Sequence, residues 1–528
     1  MSDYWQKRAI KAEKKVNDGA KQLEEVVAQA YKQAQSYLTK QIAKLFSRTK
    51  QQTELTDDEA KRMLNETVPV SELVELRRLA KDISNPDLQK EAKKRLTGLA
   101  LKSRITSAED LKAKSYLVSK QIADVQLDRQ TSFYIDTIDE AYKETTAETI
   151  IHEAQANAKS GIVKEVWNKK DYKFKELSTK SVENILDSHW LGSNYSERLW
   201  GDTEALAKRL EQLFTVKALT GMSELQMAKA IASEFDRSIN VARRLIRTEA
   251  NYMANQAKLK SWQNNGVEKY QIIAILDLRT SQICRHKDHK VFLVSEAVVN
   301  GSEGTYPPFH PWCRSVASMY SERLNNILRK ALDPITGKTF DIKGATTYDE
   351  WMDMLKNMHP DSEITNYKKI VLNHSKDNAS YLKIKAVLGK NGPKSLEEYQ
   401  EIKYNDSKKW ARLKDNYFVK SRLQDGRYGS TINPEKQAPH MASTVIKGKS
   451  YFKDDVDVQK LFDKYAGTGQ VERTEAGRTT PKERIDTGKF IGYDASSGKQ
   501  VTGIKIHHSK KRTHIVPWNS NNGKHDLW

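Results

Sequence analysis

Apolar residues recur at intervals of three and four along the start of the chain: Leu23, Val26, Val27, Ala30, Tyr31, Ala34, Leu38, Ile42 and Leu45, with Lys, Gln and Glu between them. Only a helix lines such a series along one side, because side chains repeat every ~3.6 residues there and every two in a strand. The spacing predicts a long amphipathic helix, with further helical patterns to about Thr145. Thr56-Asp57-Asp58-Glu59 and Ser84-Asn85-Pro86-Asp87 read as helix starts. Residues 1–160 are expected to form an elongated helical arm that lies against a partner; a plain helical bundle fits the same pattern.

No apolar run is long enough to span a bilayer. Met1 to Arg8 leads straight into a charged helical pattern without the apolar stretch of a secretory signal. The expectation is a cytoplasmic product with no membrane partner, unless it leaves by a route that signal peptides do not report. Two cysteines, Cys284 and Cys313, exclude a disulfide framework. The formal charge of +20 favours nucleic acid or another polyanion as a neighbour, and a well-solvated basic protein would show it too.

A second helical region is expected from about Lys164 to Asn265. Within it Ser223 and Gln226 make a capping-box pattern, and Asn264-Asn265-Gly266 ends the last helix. Tyr270–Leu276 reads as a buried strand. Residues 331–425 read as a linker region with short helices, such as Tyr348–Met354 and Leu396–Tyr404. Gly337-Lys338-Thr339 is not a phosphate loop, because Leu332 stands where its upstream glycine belongs. From Thr431 to Pro517 the character changes to a small α+β domain. A helix at Val456–Tyr465 precedes a hairpin of Phe490–Tyr493 and Val501–Ile506 about Ser497-Gly498, then a strand at Thr513–Val516.

Three short motifs follow one another between Arg247 and Arg314. They are Arg247-Thr248-Glu249-Ala250-Asn251 on a helix, Asp277-Leu278-Arg279-Thr280-Ser281-Gln282-Ile283-Cys284 after a strand, and Pro307-Pro308-Phe309-His310-Pro311-Trp312-Cys313-Arg314-Ser315. This order resembles the head-morphogenesis domain of phage minor head proteins similar to the Mu F protein, over roughly Leu206 to Tyr320. Ser281 and Ser315 stand where many relatives have cysteines. Cys284, His310 and Cys313 remain as ligands for a structural zinc, which His286, Asp288 or His289 could complete. The alternative is a metal-free turn held by hydrogen bonds among Asp277, Arg279, Thr280 and Glu249. Arg247, Glu249, Asp277 and Arg279 are read as a structural motif rather than an active site. The resemblance implies procapsid assembly. The expected partners are the portal protein, other capsid components and phage DNA. The expected location is the capsid interior near the portal, and the host cytoplasm during assembly.

The tail opens with Ile432-Asn433-Pro434-Glu435-Lys436-Gln437-Ala438-Pro439-His440 and nearly closes with Ile504-Lys505-Ile506-His507-His508-Ser509-Lys510-Lys511-Arg512-Thr513-His514-Ile515-Val516-Pro517. These ends resemble the polymorphic toxin type 50 domain, a family expected to be a metal-independent ribonuclease of the barnase/EndoU/colicin/RelE type. Cutting RNA without metal needs a base for the 2′-hydroxyl, an acid for the leaving oxygen, and cations around the phosphate. His440 and His514 are the expected acid–base pair, with His508 in reserve. Lys436 and Lys511 would hold the phosphate, and Thr513 would donate a hydrogen bond to it. His507 and His508 alternate faces, so only one of them can share the site. Lys510, Lys511 and Arg512 would grip nucleic acid, and a basic strand that binds RNA without cutting it explains the same run.

The expected fold class is a mainly α N-terminal and central region with a small α+β head-morphogenesis core, followed by a small α+β C-terminal domain. The expected boundaries are 1–160, 161–330, 331–425 and 426–528. Three functional classes follow: a virion protein with a ribonuclease tail that needs no cofactor, a purely structural head protein with a basic tail, and a free toxin. The intact head-protein motifs disfavour the last.

Overall fold

The periodic start of the chain forms one helix, α1 (Ser2–Arg48). In the computed structural model residues 2–48, 54–100, 102, 104–159, 176–320 and 328–519 are described, and they fall into two units, Met1–Met354 and Leu355–Trp528. The first continues through α2 (Asp57–Asn65), α3 (Val70–Lys81), α4 (Pro86–Ala100), α5 (Ser107–Lys159), α6 (Thr179–Leu186), α7 (Tyr195–Leu213), α8 (Val216–Leu219) and α9 (Glu224–Asn264). Leu23, Val27, Tyr31, Ala34, Leu38, Ile42 and Leu45 are buried in one core with Tyr134 and Tyr142 of α5 and Phe235 and Ile246 of α9. The stripe expected to lie against a partner is therefore covered by the chain's own helices. An apolar helix face is costly to leave wet, since burying one large aliphatic side chain is worth roughly 1.5–3 kcal/mol, and α5 and α9 supply the cover. Val26 falls outside the stripe and is exposed; Ala28 is buried beside it.

The helix starts read from sequence form as capped ends. Thr56 and Glu59 make a reciprocal capping box, as do Ser223 and Gln226. The Asn85 side chain accepts from the backbone of Asp87 and Leu88 at the start of α4. After α9 the chain turns at Gly266, whose φ of +68° suits glycine.

A three-stranded antiparallel sheet follows, with β1 (Lys269–Ile273) between β2 (Val291–Leu293) and β3 (Val316–Met319); α10 (Gln282–Lys287) lies between β1 and β2 in sequence. Tyr270, Tyr306 and Trp262 interlock at its centre, the tyrosine rings 5.1 Å apart and edge-on. Gly337-Lys338-Thr339 sits at the turn of a hairpin, β4 (Leu328–Leu332) with β5 (Thr339–Lys343).

Residues 331–425 hold more helix than the expected short pieces. After α11 (Tyr348–Met358), α12 (Asp361–Leu388) runs for 28 residues, followed by α13 (Leu396–Asn405) and α14 (Ser407–Gln424). The length of α12 escaped the periodic pattern because its buried positions are Ile364, Asp377, Ile384 and Leu388, one of them a carboxylate. Asp377 accepts hydrogen bonds from Gln400, Lys403 and Tyr404 on α13, which replaces a greasy contact by a polar one.

The rest of the second unit is α+β. It contains α15 (Pro434–Gln437), β6 (Tyr451–Phe452), α16 (Val458–Tyr465), β7 (Gln470–Arg473), β8 (Thr479–Asp486), β9 (Gly492–Tyr493), β10 (Gln500–Val501), β11 (Gly503–His507) and β12 (His514–Trp518). One antiparallel sheet has the order β12-β11-β8-β7 and a smaller one β10-β9-β6. The expected hairpin is split. β9 and β10 turn at Gly498, but Gly503 already belongs to the other sheet, and Phe490 is exposed rather than in a strand. Ile485, Ile504, Ile506 and Ile515 face Phe452 and Phe462 in the core. The edge strand β7 is closed by α14, where the buried Asp415 accepts from Val471 N at 2.9 Å and pairs with Arg473. No helix among the described residues is long and apolar enough to cross a membrane.

Candidate functional site

Gln437 explains why the opening motif and the closing strand belong together. Its buried amide donates to Ile515 O at 3.0 Å and accepts from Ile515 N at 2.9 Å, completing the free edge of β12. Asn433 caps α15 through Lys436 N, donates its own N–H to Thr513 O and reaches Lys511 O with its side chain. The short turn Ala438–His440 that follows thereby sets His440 beside His514, ring centroids 5.9 Å apart and near-parallel.

Strand register adds a third histidine. His507 of β11 lies opposite His514 of β12 and Lys482 of β8, and its ring centroid is 4.7 Å from that of His514. The sequence points to His508 as the reserve residue of this site; the strand register puts His507 there instead. His508 points into the core, only 4% exposed, bonded to Glu483 at 3.0 Å and stacked on Tyr428. Its reserve catalytic role is corrected to a structural one. Thr513 is corrected likewise. It is fully buried, and its hydroxyl donates to Ser509 O and accepts from Ser509 N, closing the turn between β11 and β12.

Both expected catalytic histidines carry a defined tautomer. Nδ1 of His440 donates to Ser450 O at 2.7 Å and Nδ1 of His514 to Arg512 O at 3.2 Å, so each leaves Nε2 with a free lone pair. Burial lowers the pKa of both below the usual imidazole range. Lys449 and the neighbouring ring push His440 further down, and Lys436, Lys449 and Arg512 do the same at His514. His507 drops to about 4 through burial, with His514, Lys482 and Lys505 adding to it. The row thus favours the neutral imidazole and is rimmed by cations. Lys449 is a cation the sequence motifs did not point to. Lys510, Lys511 and Arg512 are exposed on the adjoining turn.

The central motifs make a separate cluster. Cys284 Sγ lies 3.0 Å from His310 Nε2 and 3.8 Å from Cys313 Sγ, and the three donor atoms fall within 4.8 Å of one another. Ser281 also reaches His310 Nε2, at 2.8 Å, and Ser315 is buried beside them. Hydrogen bonds from Cys313, His310, Ser281 and Ser315 hold the Cys284 thiol down to about 4 against its burial, whereas burial pushes Cys313 up. The donors fit a zinc ion. Two thiolates at ~2.3 Å from tetrahedral zinc stand ~3.8 Å apart, and His310 Nδ1–H donates to Pro311 O, leaving Nε2 to ligate. The expected fourth ligands do not join them. Asp288 accepts from Ala274 N and Tyr348 N, His289 meets Gln271, and His286 bonds the backbone of its own helix.

Arg247, Glu249, Asp277 and Arg279 do not converge. Arg247 pairs with Glu24 of α1, Glu249 with Arg198 and the Trp190 indole, and Asp277 with both terminal nitrogens of Arg314. Arg279 is exposed, and its backbone N–H donates to Asp277. The turn expected among Asp277, Arg279 and Thr280 exists, but Glu249 takes no part in it.

Residues 208–318 match the family described as Phage Mu protein F like protein, and residues 432–517 match the family described as Bacterial toxin 50. The chain thus joins a segment similar to a phage head protein to a C-terminal segment similar to a bacterial toxin. No curated protein and no solved structure matches it.

Proposed function

We propose that the chain is a phage minor head protein acting in procapsid assembly at the portal, and that its C-terminal domain cleaves RNA by attack of the internal 2′-hydroxyl. The row His440–His514–His507 within a rim of Lys436, Lys449 and Arg512 carries the reading. A neutral Nε2 takes the 2′-hydroxyl proton, and the 2′-oxygen attacks phosphorus. The 5′-oxygen leaves with a proton from the second imidazole, giving a 2′,3′-cyclic phosphate and a 5′-hydroxyl. His440 and His514 supply the base and the acid. Lys436, Lys449 and Arg512 stabilise the charge that develops on the phosphate. The bound anion raises the imidazole pKa values, which supplies the acid that the free site lacks. Incubating the full chain with single-stranded RNA in EDTA should yield cyclic-phosphate ends, with DNA left intact because it lacks the nucleophile.

A second reading has the tail bind RNA without cutting it. The lowering of all three histidines favours it, since no imidazolium stands ready at neutral pH. RNA that is bound and never cut is its signature. For the first unit, the proposed partners are the portal protein, other capsid components and phage DNA, and the proposed place is the capsid interior near the portal. Zinc held by Cys284, His310 and Cys313 would brace the two loops that carry them.

A further inference from the structure

The histidine row is one end of a longer surface. Residues 503, 505 and 507 of β11 lie on the sheet face opposite its isoleucine core, and in register with them come Trp518, Val516 and His514 of β12 and Asp486, Arg484 and Lys482 of β8. Gly503 lies directly opposite Trp518. A Cβ there would run into the Trp518 carbonyl oxygen and come within 2.9 Å of the indole Cε3, so the glycine admits both the backbone and the ring of Trp518. The Arg484 guanidinium sits 5.3 Å from the indole centroid and is tethered by Glu472 at 2.6 Å, which also holds Lys505 at 2.8 Å. An aromatic ring laid on a sheet beside a fixed guanidinium, with cationic rungs leading from it to the histidines, has the make-up of a stacking platform for single-stranded nucleic acid.

We propose that Trp518 is a base-stacking subsite for RNA, engaged by a nucleotide away from the scissile phosphate. The proposal rests on the ribonuclease reading for the identity of the strand and adds to it where the strand runs. Gly503 and His507 are four residues apart on one strand, a separation of ~13 Å, against ~3.4 Å between successive stacked bases. A dinucleotide bound at the histidines therefore cannot reach the ring, whereas a longer strand can. Lys505 and Lys482 lie beside the path between the two points, suited to backbone phosphates. Two carboxylates share this face: Glu472, which its two cationic partners offset, and Asp486, which accepts from Gly488 N at 2.9 Å.

The test uses the full chain as wild type and as Trp518→Ala, Trp518→Leu and Trp518→Phe. Binding is read on a short single-stranded oligoribonucleotide blocked by 2′-O-methyl groups, and cleavage on the unmodified oligomer and on a dinucleotide. Trp518→Ala and Trp518→Leu should raise Kd and KM for the oligomer about tenfold, the scale of one base–aromatic stack, with kcat and dinucleotide cleavage unchanged. Leucine keeps the apolar cover of the sheet without a π face, and phenylalanine should restore most of the affinity. Oligomer binding that ignores all three substitutions overturns the platform while leaving the nuclease standing. Loss of oligomer and dinucleotide cleavage in equal measure also overturns it. Tryptophan-dependent binding of RNA that is never cut keeps the platform and removes the nuclease. Absence of both binding and cleavage removes both.

Discussion

His507 and His508 are neighbours with opposite surroundings, one on the open face of the sheet and one inside it. Substituting them should separate chemistry from stability. His440→Ala and His514→Ala are each expected to slow RNA cleavage by about 10²–10⁴ while binding persists, measured by initial rates at saturating substrate. His508→Ala should instead lower the melting temperature, because it removes the partner of the buried Glu483, a loss of roughly 1–3 kcal/mol. Cleavage at low temperature by the folded variant should be near normal. His507 gives a pH dependence of definite sign. Its folded value near 4 lies below the ordinary imidazole value of 6.5. The unfolded chain therefore takes the proton first, and stability is lost as pH falls from about 6.5 towards 4. Melting curves recorded across that window should flatten in His507→Gln; parallel curves for the two proteins would sink the assignment. The motif histidines could be read from sequence because imidazoles beside lysines are scarce and chemically suggestive. Which of the adjacent pair faces outwards needed the register, and Gln437 showed no signal beyond its place in the motif.

At the level of elements, the strand edge closed by Asp415 decides what can fold alone. Residues 426–528 have strands and a helix of their own, but β7 takes one backbone bond and one ion pair from α14, and Leu423 also packs on the strand core. A chain of Leu355–Trp528 should unfold cooperatively in urea, whereas 426–528 should be markedly less stable. In the longer chain Asp415→Ala should cost roughly 1–3 kcal/mol, the usual range for orphaning a buried polar partner. Equal midpoints for the two lengths would show that α14 is dispensable. Helices with strong caps and apolar stripes, such as α1 and α9, were legible from spacing alone. β7 and β8 were not, since Lys482-Glu483-Arg484 reads as surface while the sheet buries Glu483 against the backbone of Gly467 and Gly469. In α12 the pattern failed for a related reason, a carboxylate occupying a core position.

Across the whole molecule, two units carry two kinds of property. If zinc is held, purified protein should contain it near one per chain, and Cys313→Ser should lose both metal and thermal stability. Metal-free protein with an unchanged melt would leave the turn about Asp277 and Arg314 as the brace. Portal association, with the α1 stripe already covered, should survive in Met1–Met354 and be read by co-purification with a portal protein. Two segments of the chain could be matched to families because their motifs are local and chemically marked, whereas the joining of α1 to α9 depends on residues far apart, such as Glu24 and Arg247. That pairing has a consequence in time. A ribosome adding about 5–20 residues per second needs roughly 10–45 s to travel the 223 positions between them. Throughout that interval the nascent helix has α5 but not yet α9 to cover its apolar side, so its yield should depend on chaperone supply, and the segment bearing the histidines emerges only after the first unit has had its chance to close.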